Sequence, residues 1–186
     1  EIEFVNKKRL KRGQNPFEPI YSVDDVLDSL EHFQAIPYRK EYHLSPDISF
    51  IFYDAGHILG SAITVLNIKE NGTETRLAFT GDLGRPFRPI LRDPQLIGNV
   101  NYLITESTYG DRYHKDDEES LRMLEDTINR TYARGGKIIV PAFSLGRTQE
   151  LVFELHKLTL KNKIPSMPIY VDSPLSTNVT AIFRNH

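Results

Sequence analysis

Two short glycine-rich segments of this sequence each carry one side chain that can bind a metal ion. His57 lies in residues 54–62, and Asp82 lies in residues 79–85. Glycines let backbone and ligand atoms approach closely, and side chains at strand ends are held rigidly. A third acid, Glu106, follows another strand-like run. The pattern indicates hydrolytic chemistry at a metal ion, although two ligands alone do not make a metal site.

Each of these residues also has an ordinary structural interpretation. A single histidine beside apolar residues is more often structural than a ligand, and an aspartate in a turn often bonds its own backbone. Gly56 and Gly60 flank His57, however, and one predicted hairpin joins the two segments. This arrangement favours convergence of His57 and Asp82 on a shared site.

The elements that must position these residues are strands. From Ile48 onward, residues alternate with a period of two, which predicts a strand entering the first segment. Asn71-Gly72 separates strand-like residues 63–68 from 75–80, and this dipeptide is a strong hairpin signal. We therefore expect one antiparallel unit that carries both segments.

The pattern changes on either side of this unit. Residues 13–20 contain prolines and predict a linker, after which Ser22 is expected to cap a short helix. Beyond residue 100, short apolar runs at 102–105, 137–140 and 169–171 each precede a loop and a helical pattern. This alternation predicts a partly parallel α/β sheet.

Composition narrows the class of protein. The chain has 186 residues, of which 39% are hydrophobic and 26% charged, and its net charge of −2 argues against a uniformly basic nucleic-acid-binding surface. Without cysteine, a metal site must use histidine and carboxylate ligands, which suits zinc or manganese. No run has transmembrane length and no signal peptide is visible, so we expect a cytoplasmic protein with no membrane partner.

Several motifs together resemble one known family. Asp-Ala-Gly-His-Ile-Leu-Gly-Ser-Ala and Thr-Gly-Asp-Leu-Gly-Arg are followed by Glu-Ser-Thr-Tyr-Gly-Asp-Arg and Pro-Ala-Phe-Ser-Leu-Gly-Arg-Thr-Gln-Glu. This series resembles the β-CASP branch of the metallo-β-lactamase-fold nucleases, and it covers nearly all of the chain. The resemblance implies an α/β fold, with part of a metallo-β-lactamase αββα domain at 1–110 and the start of a β-CASP domain at 111–186.

The resemblance also implies an activity and a set of site residues. It implies a zinc-dependent ribonuclease, endonuclease or 5′-exonuclease or both, that uses water activated by two zinc ions. His57 resembles a metal ligand, Asp82 resembles the catalytic aspartate that bridges the metals, and Glu106 resembles the acid that supports a catalytic histidine. The family's His-x-His-x-Asp-His motif is absent. We therefore expect a central excerpt of a longer nuclease, inactive alone.

Weaker candidates for RNA contact surround these residues. Ser144 and Arg147 lie at a predicted helix N-terminus, where phosphates bind favourably. Arg85, Arg112 and His114 lie near the two segments, although residues of this kind more often have an ordinary solvated surface role. RNA is the expected partner, and a homodimer is one option for assembly. Two other functions stay open: a metallo-β-lactamase-fold hydrolase of esters, thioesters or lactams, and a non-catalytic RNA-processing scaffold.

Overall fold

The computed structural model describes residues 2–114 and 116–186, and the chain divides into two compact units, Glu1–Ile36 and Pro37–His186. The first unit contains α1 (Ile2–Lys11) and α2 (Val23–Leu30). The Ser22 hydroxyl accepts the Asp25 N–H while the Asp25 carboxylate accepts the Ser22 N–H, which forms a reciprocal cap. The predicted N-cap at Ser22 is thereby confirmed.

The second unit is built on one five-stranded sheet. Its strands are β1 (Glu41–Ser45), β2 (Ile48–Asp54), β3 (Ala62–Glu70), β4 (Thr73–Phe79) and β5 (Tyr102–Ile104), and their spatial order follows the sequence. The first four strands are antiparallel, whereas β5 lies parallel to β4. The antiparallel unit expected from the sequence is confirmed.

The turn between β3 and β4 has the backbone conformation that the Asn-Gly pair predicts. Asn71 has φ 50° and Gly72 has φ 77°, so both residues lie in the left-handed region. Two such residues make a tight turn whose twist matches that of the flanking strands. The turn fixes the register in which Val65 and Ala78 face each other in the core, where both are fully buried.

Strand direction brings three strand ends to the same edge of the sheet. β2 and β4 are both antiparallel to β3, and β5 is parallel to β4. The carboxyl ends of β2, β4 and β5 therefore lie on one edge. His57, Asp82 and Glu106 follow these three ends, so the topology places all three candidate residues on that edge.

Three helices complete the second unit: α3 (Asp117–Ala133), α4 (Arg147–Leu160) and α5 (Pro174–Phe183). Ile128 of α3, Leu158 of α4 and Ile164 form a buried apolar cluster. The helices predicted from the apolar spacing are thus confirmed. Within the described residues, no helix is both long and apolar enough to cross a lipid bilayer.

Two predicted strands are wrong. Residues 137–140 and 169–171 do not join the sheet, and Ile139 and Tyr170 are almost fully exposed. An apolar run favours extended backbone, but a strand also needs a neighbour to accept and donate its hydrogen bonds. The run at 102–104 finds that neighbour in β4. The α/β class itself is confirmed, while the domain boundary expected at residue 110 lies inside the second unit and stays a prediction.

Candidate metal centre

The loop that carries His57 is closed by hydrogen bonds from both of its ends. The Asp54 carboxylate accepts the Gly56 N–H at 2.8 Å, and the Ser61 hydroxyl accepts the N–H groups of His57 and Ile58 at 3.1 and 3.2 Å. Short polar side chains at these positions replace backbone partners that a tight loop cannot provide. The backbone of His57 is consequently fixed directly beyond β2.

The Asp82 loop packs on the His57 loop, backbone against backbone. The Gly84 N–H donates to the Ala55 carbonyl oxygen at 2.8 Å. A Cβ atom on Gly84 would lie 1.8 Å from the Gly56 carbonyl oxygen, far inside van der Waals contact. Gly56 itself has φ 64°, and a Cβ there would meet the Pro94 nitrogen at 2.7 Å. Both glycines are needed because each lets two main chains touch.

His57 and Asp82 face each other across this contact. The distance from His57 Nε2 to Asp82 Oδ2 is 3.8 Å, which exceeds a hydrogen bond. Two donors bound to one tetrahedral zinc ion lie about 3.4 Å apart, so the observed spacing suits two ligands of a single ion with a small adjustment. Both side chains are open to solvent, with 44% and 76% of their surfaces exposed.

The nitrogen and oxygen donors fit a divalent metal, but they fill only part of its coordination shell. Among the residues that the structure describes, no group of three or more His, Cys, Asp or Glu side chains is placed to hold an ion. A complete site requires further ligands beyond His57 and Asp82. Their exposed faces leave room for such ligands.

The Glu106 side chain is hydrogen-bonded to the loop that carries Asp82. Its Oε1 accepts the N–H of Leu83 at 2.7 Å, and its own N–H donates to Thr80 Oγ1 at 3.3 Å. The hydrogen bond from Leu83, followed by that from Thr108, lowers the pKa of Glu106 below its ordinary value. Glu106 therefore stays ionised at neutral pH and restrains the residue next to Asp82. Support of a later histidine by Glu106 stays a prediction.

The five candidate RNA contacts do not form one cluster. Arg85 Nη2 bonds Asp117 Oδ1 at 2.7 Å and Arg147 Nη1 bonds Glu150 Oε2 at 3.2 Å, so both guanidinium groups already have carboxylate partners. Ser144 Oγ lies 3.2 Å from the hydroxyl of Ser173, the N-cap of α5. Their contact with RNA stays a prediction.

Arg112 and His114 share a different neighbour. The Arg112 guanidinium lies 5.2 Å from the ring centre of Tyr109, and the His114 ring lies 4.6 Å from it. Arg112 also approaches Asp111, at 3.7 Å. A basic and aromatic group of this kind is open to phosphates and stacked bases, which supports the prediction without testing it.

Sequence reasoning missed Arg88 and Glu150, which form the least exposed ion pair near the loop, with Arg88 Nη2 2.8 Å from Glu150 Oε2. The two residues lie 62 positions apart, so no local pattern pairs them. The only signal in the sequence is a second arginine, Arg88, three residues beyond Arg85 at the end of the Asp82 segment.

Comparison with known proteins places the chain in a family. Residues 148–186 match the family model described as the Beta-Casp domain. Ribonuclease TTHA0252 of Thermus thermophilus is 33% identical over 166 residues, covering 89% of this chain and 37% of that protein. The chain belongs to the β-CASP family. Transcription termination factor FttA of Thermococcus kodakarensis is 36% identical over 165 residues, covering 85% of this β-CASP chain and 24% of that protein.

The similarity extends to a plant protein. Cleavage and polyadenylation specificity factor subunit 3-I of Arabidopsis thaliana is 30% identical over 169 residues, covering 90% of this chain and 24% of that protein. The chain thus spans between 24% and 37% of the length of these three relatives. The family predicted from the motifs is confirmed, as is an α/β fold consistent with metallo-β-lactamase and β-CASP parts.

Proposed function

We propose that the full-length protein is a metal-dependent ribonuclease that hydrolyses RNA phosphodiester bonds. The observation that carries the proposal is the approach of His57 Nε2 and Asp82 Oδ2 to 3.8 Å, on two loops locked together at Gly84. The names of the relatives add support, since one is a ribonuclease and another an RNase J-like protein of Methanocaldococcus jannaschii.

His57 and Asp82 would hold the metal in this proposal. Their donors suit zinc, and the resemblance implies two zinc ions, which His57 and Asp82 would hold together with further ligands. Bound metal ions supply an activated water and stabilise negative charge on phosphoryl oxygens. The chain's own contribution is rigidity: the loop contact at Gly84 and the Glu106 hydrogen bond to Leu83 keep Asp82 aimed at His57.

RNA would approach the basic groups around this edge of the sheet. We propose Arg112 and His114 beside Tyr109 as contacts for phosphates and bases, with Arg85, Ser144 and Arg147 as further phosphate contacts. Arg85 and Arg147 would have to share or leave their carboxylate partners to do so. A homodimer, a cytoplasmic location and a domain boundary at residue 110 belong to the same proposal.

The test removes the two metal donors from the full-length protein. Asp82→Ala and His57→Ala should each lower bound zinc and reduce cleavage of end-labelled RNA by more than about 100-fold, since even groups that only orient metal ligands contribute about 10- to 100-fold. Zinc is measured by mass spectrometry after desalting. Asp126→Ala, which removes an exposed aspartate of α3, is the matched control and should change neither.

The outcomes separate the competing functions. Unchanged cleavage in Asp82→Ala would refute the assignment of the site. A wild-type protein that binds zinc and hydrolyses esters, thioesters or lactams but not RNA would support the other hydrolase. A protein that binds RNA but cleaves nothing and holds no zinc would support the scaffold.

A further inference from the structure

The loop that follows Asp82 is joined to two helices by one partly buried arginine, Arg88. Arg88 Nη2 and Nε bond the two carboxylate oxygens of Glu150 at 2.8 and 3.3 Å, and Arg88 Nη1 bonds Asp117 Oδ1 at 3.2 Å. The side chains of Arg88 and Glu150 are only 18% and 11% exposed. Paired geometry and burial reduce screening by water, so this contact differs from an ordinary surface ion pair.

The two carboxylates come from separate helices. Asp117 opens α3 and Glu150 lies in the first turn of α4, positions where the helix dipole also favours negative charge. Arg88 therefore joins three segments that are distant in sequence. Its hydrogen bond to Glu150 raises the pKa of Arg88 further above its already high value, so the guanidinium stays charged.

Arg88 lies within a strained stretch of backbone. Phe87 has φ 61° and Ile90 has φ 62°, although bulky and β-branched side chains rarely adopt the left-handed region. Such a conformation persists only where surrounding contacts enforce it. The Phe87 N–H is held by Asp93 Oδ1 at 2.7 Å, and the Arg88 side chain is held by Glu150 and Asp117.

The same stretch is anchored to the His57 loop at both ends. The Gly84 N–H donates to the Ala55 carbonyl oxygen and the Gln95 N–H donates to the Asp54 carbonyl oxygen, both at 2.8 Å. Release of the middle of the stretch would let its left-handed residues relax. That relaxation would strain the hydrogen bonds of Gly84 and Gln95 at the two ends of the stretch. Asp82 lies two residues before Gly84, so strain there would reach it.

We propose that Arg88 is a positioning residue that holds the Asp82 loop in the conformation needed for the metal site. The inference rests on the proposed ribonuclease function for its catalytic consequence. Arg88 contacts neither His57 nor Asp82 in the hydrogen bonds and ion pairs of the described residues, so it acts through the loop.

The test compares Arg88→Met and Arg88→Lys in the full-length protein. The matched control is Arg130→Met, which breaks the largely exposed Arg130–Asp126 pair within α3. Hydrogen exchange rates are measured at the Gly84 and Gln95 amides and at the amides of β2 and β3. RNA cleavage assays give kcat and KM. Arg88→Met should lower kcat by about 10- to 100-fold, the effect of a displacement of roughly 1 Å, with KM changed less than about 2-fold.

In Arg88→Met, the Gly84 and Gln95 amides should also exchange at least about 10-fold faster while the β2–β3 amides keep their protection. Arg88→Lys should fall between wild type and Arg88→Met, because an ammonium keeps the charge but loses the paired geometry. Arg130→Met should match wild type in both measurements.

Two results would overturn the proposal. One is unchanged exchange at Gly84 and Gln95 in Arg88→Met. The other is faster exchange throughout the sheet in equal measure, which would make Arg88 a general stabiliser of the fold. If wild type itself cleaves no RNA, the proposed function fails, while exchange at these two amides still decides whether Arg88 holds the loop.

Discussion

Replacement of Gly84 by alanine tests directly whether the two loops must touch. The added Cβ would lie 1.8 Å from the Gly56 oxygen, 2.1 Å from the Gly56 carbonyl carbon and 2.7 Å from the His57 nitrogen. All three are backbone atoms, so no flexible side chain can rotate away. An ordinary contact needs about 3.4 Å, and the two main chains would have to separate by roughly 1.5 Å.

The size of the effect follows from that separation. Overpacking of this kind costs about 1–3 kcal/mol of unfolding free energy, and more where the backbone resists. Turnover should fall as well, because a displacement of about 1 Å can reduce kcat roughly 100-fold. His57 and Asp82 sit on opposite sides of the contact, so Gly84→Ala should widen their 3.8 Å spacing and weaken zinc binding.

The assay measures zinc content, kcat and urea unfolding of the full-length protein with two controls. Gly98→Ala adds a Cβ that meets only the Arg76 side chain at 3.5 Å, so it should behave as wild type. Gly136→Ala crowds Thr131 at the end of α3, at 2.9 Å, and should cost stability without loss of zinc. Gly84→Ala protein that keeps wild-type zinc and kcat would refute the argument that this backbone contact sets the ligand spacing.

Two further predictions concern the same edge of the sheet and its hairpin. The pKa of Glu106 is lower in the folded protein than in the unfolded chain, where it is about 4.3. The ionised Glu106 side chain therefore stabilises the folded protein above the unfolded pKa, and this stabilisation is lost as the pH falls through the folded-state pKa. The melting temperature of wild type should exceed that of Glu106→Gln at pH 7, and the gap should shrink below about pH 4; a gap independent of pH would contradict this. Gly72→Ala, at φ 77°, should cost about 1 kcal/mol of unfolding free energy in urea titrations, and an unchanged midpoint would show that the turn relaxes.

The parts of the fold that sequence predicts are those with local causes. The Asn71-Gly72 turn follows from two residues that tolerate positive φ, and the Ser22 cap follows from a side chain that reaches an N–H group three residues away. The shared edge for His57, Asp82 and Glu106 needs only strand directions in addition. Each of these inferences uses contacts short in sequence or a rule of sheet topology.

The parts that sequence could not predict depend on distant partners. Residues 137–140 and 169–171 have the composition of strands, but composition does not show whether a neighbouring strand exists. The Arg88–Glu150 pair spans 62 positions, and positive φ at Phe87 and Ile90 contradicts local preference altogether. Conflict between local preference and observed conformation is typical of sites where structure serves function, which is one reason to suspect the stretch around Arg88.

The Asp82 loop is restrained by contacts to three different parts of the fold, and their chemistry differs. Gly84 meets the His57 loop through backbone, Leu83 meets Glu106 beyond β5, and Arg88 meets the starts of α3 and α4. Only the first contact lies between the loops of His57 and Asp82, and it is the one that tolerates no added atom. The other two contacts are hydrogen bonds to carboxylates, so substitutions that remove a charge weaken them. Because one short loop receives all three, a displacement at any of them reaches Asp82 within a few residues, and the ligand spacing depends on α3 and α4 as well as on the sheet.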